Sequence, residues 1–275
     1  MADDGGDTVR VGVPARRIVS LVPAITEMLF AIGAGDAVVG RTTWCDYPAA
    51  ALKVPSVGDG IDPNLEAVVA RRPDLVLLYS SGQNVAAHER LADLGVPSLR
   101  LTTDHLADVP RLARLLGRVT GHELQGDSVA RAFEAALAET SAPPGVHPLS
   151  VFFLAWTQPA MTVGRGSFLT ELLARAGARN VFDDVAPSSA VVSIEAVAAR
   201  NPDLILTLGA DAPSLEGRPE WSAVGAVREG RLVHIEGTEF SWPGPRSPDA
   251  IRELRSALGN ARAAHAATLS AEVGE

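Results

Sequence analysis

Apolar positions along this chain switch repeatedly between the two spacings that mark strands and helices. Arg17–Leu21 (RIVSL) is a short apolar run and predicts a buried strand. It leads through Val22-Pro23-Ala24 into a helix over Thr26–Phe30 that ends at Gly33, and Val38 and Val39 predict a second strand. Arg41–Pro48 and the Gly- and Pro-rich Val54–Asn64 predict loops. Asn64 caps a helix over Leu65–Arg72, Pro73-Asp74 breaks it, and Leu75–Tyr79 is a strand. After a loop at Ser80–Asn84 come a helix over Val85–Leu94, closed by Gly95, and a strand over Val96–Leu101. Leu106, Val109, Leu112, Ala113 and Leu116 then mark an amphipathic helix. Val129, Ala132, Phe133, Ala136 and Leu137 form a second helical stripe within Thr120–Thr140. Thr120 with Glu123 reads as a capping box, and Pro143-Pro144-Gly145 as the stop. The second half continues with a strand over Leu149–Ala155, a long loop from Trp156 to Ser167, a helix over Phe168–Ala176, a later strand over Arg231–Ile235 and a closing helix from Ile251.

The stretch Thr120–Thr140 is flanked by an internal repeat. NLEAVVARRPDLVLLYS (Asn64–Ser80) and SIEAVAARNPDLILTLG (Ser193–Gly209) agree at nine of seventeen positions without a gap. A weaker echo matches Thr26-Glu27-Met28-Leu29 to Thr170-Glu171-Leu172-Leu173. Helix and strand alternate in both halves. The expected fold is therefore α/β, with two Rossmann-like lobes of mostly parallel sheet joined by a single long rigid helix. Its divisions fall as a loose acidic segment at 1–15, with a β-like patch at Val9–Val13, an N-terminal lobe at 16–103, a helical linker at 104–145 and a C-terminal lobe at 146–275.

A length of 275 residues supports two domains, each with its own core. A net charge of −9 argues against a nucleic-acid partner. The one cysteine, Cys45, excludes an internal disulfide and a cysteine metal cluster, and it has no base nearby in sequence to activate it. The six histidines show no metal-ligand spacing, so no metal site is expected. No signal peptide is evident in MADDGGDTVR, which keeps a cytoplasmic location open.

Ligands of open α/β sheets bind outside the carboxyl ends of the strands. The loops there carry Trp44, Tyr47, Tyr79, Trp156, Phe240 and Trp242, in a chain with only 5% aromatic residues. That concentration suits a large, flat ligand. Gly164-Arg165-Gly166-Ser167 reads either as an anion cradle or as a turn with Ser167 as N-cap. Glu66 and Glu195 occupy equivalent first-turn positions in the two repeat copies. They read as complements to the helix dipole, as a pair of exposed acids for a symmetric partner, or as both.

RIVSLVPAITEMLFAIG, the Cys45-Asp46-Tyr47-Pro48 loop, the two EAV…PDL segments, GSFLTELLARAGARNVF and Pro243-Gly244-Pro245-Arg246 together resemble the helical-backbone substrate-binding proteins of ABC importers. The resemblance is closest to the cobalamin-binding branch and runs from about Arg16 to Leu258. It implies a ligand cleft between the lobes, docking of Glu66 and Glu195 onto a permease dimer, and an extracytoplasmic or periplasmic location. It implies no intrinsic cofactor; the ligand would be cobalamin or another corrinoid, bound as a metal chelate by a monomeric, non-enzymatic protein. By position in the motifs, Tyr47, Tyr79, Trp156 and Arg246 carry over as ligand-binding residues. Pro23, Ala24, Asp59 and Trp242 join them from the strand-end loops. Two tryptophans of the cobalamin branch have no counterpart, since Gly58–Ile61 holds none and Pro187–Ala190 offers Ser188-Ser189. A haem or ferric siderophore is the alternative ligand, with Tyr47 or Tyr79 as a haem ligand. A cytoplasmic corrinoid-handling relative and an interdomain-cleft enzyme, which turnover would distinguish from stoichiometric binding, complete the alternatives.

Overall fold

The computed structural model describes residues 1–142, 147–209, 214–215 and 217–273, with side chains described through 263. Pro143-Pro144-Gly145 and the side chain of His265 lie outside the described residues. The chain divides into two compact units: Met1–Ala135 with Trp242–Pro245, and Ala136–Ser241 with Arg246–Glu275.

In the first unit the elements are β1 (Ile18–Ser20), α1 (Pro23–Ala31), β2 (Val38–Arg41), α2 (Leu65–Ala70), β3 (Leu75–Tyr79), α3 (Val85–Asp93), β4 (Ser98–Leu101) and α4 (Asp108–Thr120). A further helix, α5 (Glu123–Glu139), runs across the boundary between the units. Its four strands form a parallel sheet in the order β2-β1-β3-β4. Val19, Val76, Leu78, Val68 and Leu91 make a core from side chains that the strands and helices turn inward.

The second unit comprises β5 (Leu149–Phe153), β6 (Trp156–Thr157), β7 (Ala160–Val163), α6 (Phe168–Ala176), β8 (Ala178–Asn180), β9 (Ser189–Val191), α7 (Ile194–Arg200), β10 (Leu204–Leu208), α8 (Gly225–Arg228), β11 (Leu232–Ile235) and α9 (Ser247–Val273). Its parallel sheet has the order β11-β10-β5-β8, which is the topology of the first sheet repeated strand for strand. Fully buried Trp221 and Phe152, with ring centroids 6.0 Å apart, anchor its core.

The repeat explains why the halves fold alike. Asn64 and Ser193 cap their helices by accepting the amides of Ala67 and Ala196 at 3.0 and 3.1 Å. The helices end at residues with left-handed backbone, Arg72 (φ 50°) and Asn201 (φ 43°). The aspartate of each PDL then clips the start of the sheet's first strand. Asp74 accepts the amides of Arg16 and Arg17 at 2.8 and 3.0 Å, and Asp203 accepts the amide and hydroxyl of Ser150 at 2.7 and 2.8 Å.

Several expectations are corrected. Segment 1–15 is not loose. Ala2 bridges to Thr8, no strand forms over Val9–Val13, and Asp3 is buried. Asp3 accepts the Arg100 amide at 3.1 Å, Asp4 accepts the Thr102 amide at 2.7 Å, and the Asp4 amide donates to the Arg100 carbonyl at 2.9 Å. These bonds cover the outer edge of β4, a strand margin that would otherwise stand unpaired. Residues 104–145 are not a separate linker: α4 belongs to the first unit, and the boundary divides α5 between Ala135 and Ala136. Thr120 is no N-cap. It ends α4, its hydroxyl donates back to the Leu116 carbonyl at 2.8 Å, and Gly121 (φ 74°) breaks the chain before α5. The buried face of α5 is Gly126, Ala130 and Phe133, and Ala132 is exposed. Gly126 sets that face, because a Cβ there would lie 2.5 Å from the Ala113 carbonyl oxygen, so α4 and α5 cross where neither Gly117 nor Gly126 carries a side chain. An antiparallel sheet, β6-β7-β9, occupies part of the expected Trp156–Ser167 loop.

The N-terminal clasp carries a pH signature. Burial works to raise the Asp3 pKa, but the amides of Asp7 and Arg100 and the Arg100 charge outweigh it and hold the carboxyl below its usual range. Its stabilising contribution is complete above the ordinary aspartate value of 3.8 and is lost as pH falls through the lower folded-state value. The Asp7 and Arg100 amide resonances should therefore shift together on acidification below that value. Static resonances through the transition would refute the clasp's role.

Candidate functional site

In each parallel sheet the carboxyl ends of the strands share one edge, so the loops that follow them gather there. In the first unit this edge is braced from beneath. The buried Cys45 thiol meets the hydroxyls of Thr26 and Thr42, each at 3.1 Å, tying the Thr42–Pro48 loop to α1. The Thr43 amide donates to the Gly58 carbonyl at 3.0 Å, joining that loop to Val57–Ile61. The buried Arg41 guanidinium donates to the carbonyls of Ala51, Val54 and Thr42 at 2.8–3.0 Å, fixing the turn between them. Cys45 is thus a structural pin rather than a nucleophile.

On this frame the aromatic residues stand out. Trp44 is 64% exposed and Tyr47 42%. Water-exposed rings on immobilised backbone are surface whose burial by a ligand costs little ordering entropy. Pro23 is half-buried at the start of α1, where its missing N–H and fixed φ suit the first helical turn. Ala24 is wholly buried, so its side chain is not part of the exposed surface. Asp59 is exposed and accepts the Ile61 amide at 2.8 Å, stabilising its own turn.

Tyr79 ends β3 half-buried. Its hydroxyl donates to the Asp104 carboxylate at 2.6 Å. Burial, and then the hydrogen bond and charge of Asp104, push the phenol up to about 12. Sequence reasoning missed Asp104, whose pairing joins positions 25 residues apart. Trp242 belongs to the first unit, half-buried, with its indole N–H buried and without a hydrogen-bond partner among the described residues. The neighbouring Gly244 lies against α1, where a Cβ would come 3.5 Å from the Glu27 carboxylate.

In the second unit Trp156 is 58% exposed on β6, and its indole N–H donates to the Gln158 carbonyl at 3.1 Å. Arg246 is mostly buried and engaged, donating to Glu239 at 2.7 Å and to the Thr238 hydroxyl at 3.2 Å. Phe240 is 3% exposed, within an apolar pocket lined also by Phe153, Leu206 and Leu254. It is core and leaves the set of ligand-facing aromatics. The anion-cradle reading of Gly164–Ser167 also fails. The amides of Gly164, Arg165, Gly166 and Ser167 donate to the carbonyls of Ser188, Val185, Ala186 and Gly164, so none of these four is left for an anion. Ser167 is instead the N-cap of α6, accepting the Leu169 amide at 3.3 Å.

Glu66 and Glu195 stand exposed in the first turns of α2 and α7, and their flanking positions match in burial residue for residue. Hydrogen bonds from its own amide and from the Ser193 hydroxyl hold the Glu195 carboxyl below its usual range. Neither acid is in an ion pair among the described residues.

Among the described residues, His88 and His234 have carboxylate neighbours, at 3.4 Å to Asp7 and 3.8 Å to Glu236. Asp3, Asp7 and His88 present ligand atoms within 4.8 Å of one another. The Arg100 guanidinium already pairs with both carboxylates, at 3.3 Å to Asp3 and 2.5 Å to Asp7, so the group is a salt-bridged clasp with its cation supplied by the chain.

A family model described as a periplasmic binding protein matches residues 18–238. A vitamin B12-binding protein of Pectobacterium atrosepticum is 29% identical over 263 residues, covering 94% of this chain and 93% of that protein. An ABC transporter substrate-binding lipoprotein of Bacillus subtilis is 29% identical, over 93% of this chain and 84% of its own. A periplasmic haem-binding protein solved with two haems aligns with a TM-score of 0.79 at 25% identity, over 89% of this chain and 98% of that one.

Proposed function

Because the chain belongs to the periplasmic binding protein family, matched over residues 18–238, we propose that it is the extracytoplasmic binding component of an ABC importer whose ligand is a corrinoid. The observation that carries the corrinoid is the likeness to a vitamin B12-binding protein over 94% of the chain. The exposed rings of Trp44 and Tyr47 on the braced loop of the first unit, and of Trp156 on β6 of the second, support it, since each is an apolar face suited to a macrocycle. Glu66 and Glu195 are the contacts to a permease, one from each repeat copy. The relatives are binding proteins, and binding without turnover is the behaviour expected of this chain.

Calorimetric titration with cyanocobalamin, with haemin and a ferric siderophore in parallel, tests the ligand. A saturable one-to-one response to cyanocobalamin, weakened about tenfold or more in each of Tyr47→Ala and Trp156→Ala, is expected, as truncating a buried aromatic anchor costs roughly 2 kcal/mol or more. A response to haemin alone would overturn the corrinoid. Haem is the second reading, favoured by the likeness to the two-haem structure. In that reading the Tyr79 hydroxyl is already bonded to Asp104.

A further inference from the structure

We propose that Asp104 is a specificity-determining residue of the first unit's ligand edge: by accepting a hydrogen bond from the Tyr79 hydroxyl it keeps the phenol protonated, as a neutral contact surface, and withholds its oxygen from ferric iron. The inference rests on the reading that the ligand is a metal chelate, and it divides that class in two. A chelate whose metal has its axial positions filled needs only the ring. An open-faced ferric chelate seeks an anionic oxygen.

The chemistry follows from the geometry. When a phenol ligates ferric iron, the O–H bond breaks, one proton leaves to solvent and the oxygen donates an electron pair to the metal, with no change of oxidation state. At Tyr79 that step must also break a 2.6 Å hydrogen bond to a carboxylate and place the phenolate beside that anion. Like charges at this distance disfavour each other's ionised form. Half-burial of the ring adds a desolvation cost to the same charge, and it is the larger cause of the raised phenol pKa.

Asp104 is not free to move aside. Its amide and that of His105 both donate to Asp108, each at 3.0 Å. Asp108 in turn takes the Arg111 guanidinium at 3.0 Å, and Arg111 grips Asp4 through two bonds of 2.9 Å. The N-terminal clasp therefore holds the loop that holds Asp104. Asp108 adds a second negative charge disfavouring the phenolate.

The chain has only two tyrosines, which makes the test clean. Alkaline ultraviolet titration of the full protein, with Tyr79→Phe to assign the signal, should place Tyr79 near 12. In Asp104→Asn, an isosteric change that removes the charge, the midpoint should fall toward 10 while staying above it, because burial persists. Haemin affinity at fixed pH should rise about tenfold for each unit of that fall. The gain should vanish in Asp104→Asn/Tyr79→Phe. Asp104→Ala, which also removes the acceptor, should lower the midpoint at least as far and provides a second variant.

An unmoved midpoint, or a haemin gain that survives Tyr79→Phe, would overturn the proposal. So would wild-type protein that binds haemin through a Tyr79-dependent iron–phenolate absorption band. The corrinoid reading fails separately, if wild-type protein ignores cyanocobalamin, because the tyrosine titration needs no ligand.

Discussion

In cells that carry the cognate importer, Glu66→Ala/Glu195→Ala should deliver ligand at roughly a hundredth of the wild-type rate or less, while the purified variant binds that ligand with unchanged affinity. The size follows from what an interface loses when one member of an ion pair is truncated: the partner's charge stays behind, desolvated and unpaired, and two such sites compound to on the order of a hundredfold. The variant should fold normally, because both carboxylates are exposed, neither is in an ion pair among the described residues, and Asn64 and Ser193 remain as N-caps. Each single variant should show an intermediate loss, and charge-reversing substitutions a deeper one. Uptake of labelled ligand measures the first half and calorimetry the second. Wild-type uptake by the double variant would remove both acids from the docking role. A parallel loss of affinity would mean that they act on the ligand instead.

The largest effect on stability is expected at Trp221. Its side chain is fully buried and packs on Phe152, beside Val224 and Ala226, in the second unit's core. Trp221→Ala should cost about 3–5 kcal/mol, the usual range for emptying a large aromatic site. Against a total of about 5–15 kcal/mol for a domain, that is a large share. Trp221→Phe should cost much less. The indole N–H is buried without a hydrogen-bond partner among the described residues, so replacing it removes an unsatisfied donor while retaining much of the ring. Denaturant unfolding of the two variants checks the ordering. If phenylalanine were as damaging as alanine, an unseen bond to the indole nitrogen would have to be doing the holding.

Much of this architecture is legible in the sequence because it is written twice. The two EAV…PDL copies anticipate the helix, the turn, the strand and the equivalent placement of Glu66 and Glu195. They even share an aspartate whose clip on the neighbouring strand becomes visible only in three dimensions. What escapes reading has local causes. Strands β6 and β9 are two and three residues long, too short for alternation to register, and the first runs into Gln158-Pro159. Thr120 fits a capping box by composition, yet Gly121 behind it ends the preceding helix, so the same residues serve an exit rather than an entry. Ala24 and Phe240 fall within the correct loops, but a loop's position does not say which way a side chain turns. Asp104 had no signal at all, since its meaning lies in a partner 25 residues earlier.

The strap of residues 2–8 along β4 is a working part of the sheet. A chain shortened past Asp4 would leave the Arg100 amide and carbonyl and the Thr102 amide bare along a strand margin, an invitation to pair edge to edge with another molecule. Residues 2–8 thus shield a strand edge from pairing with another molecule, separately from any role at the ligand edge.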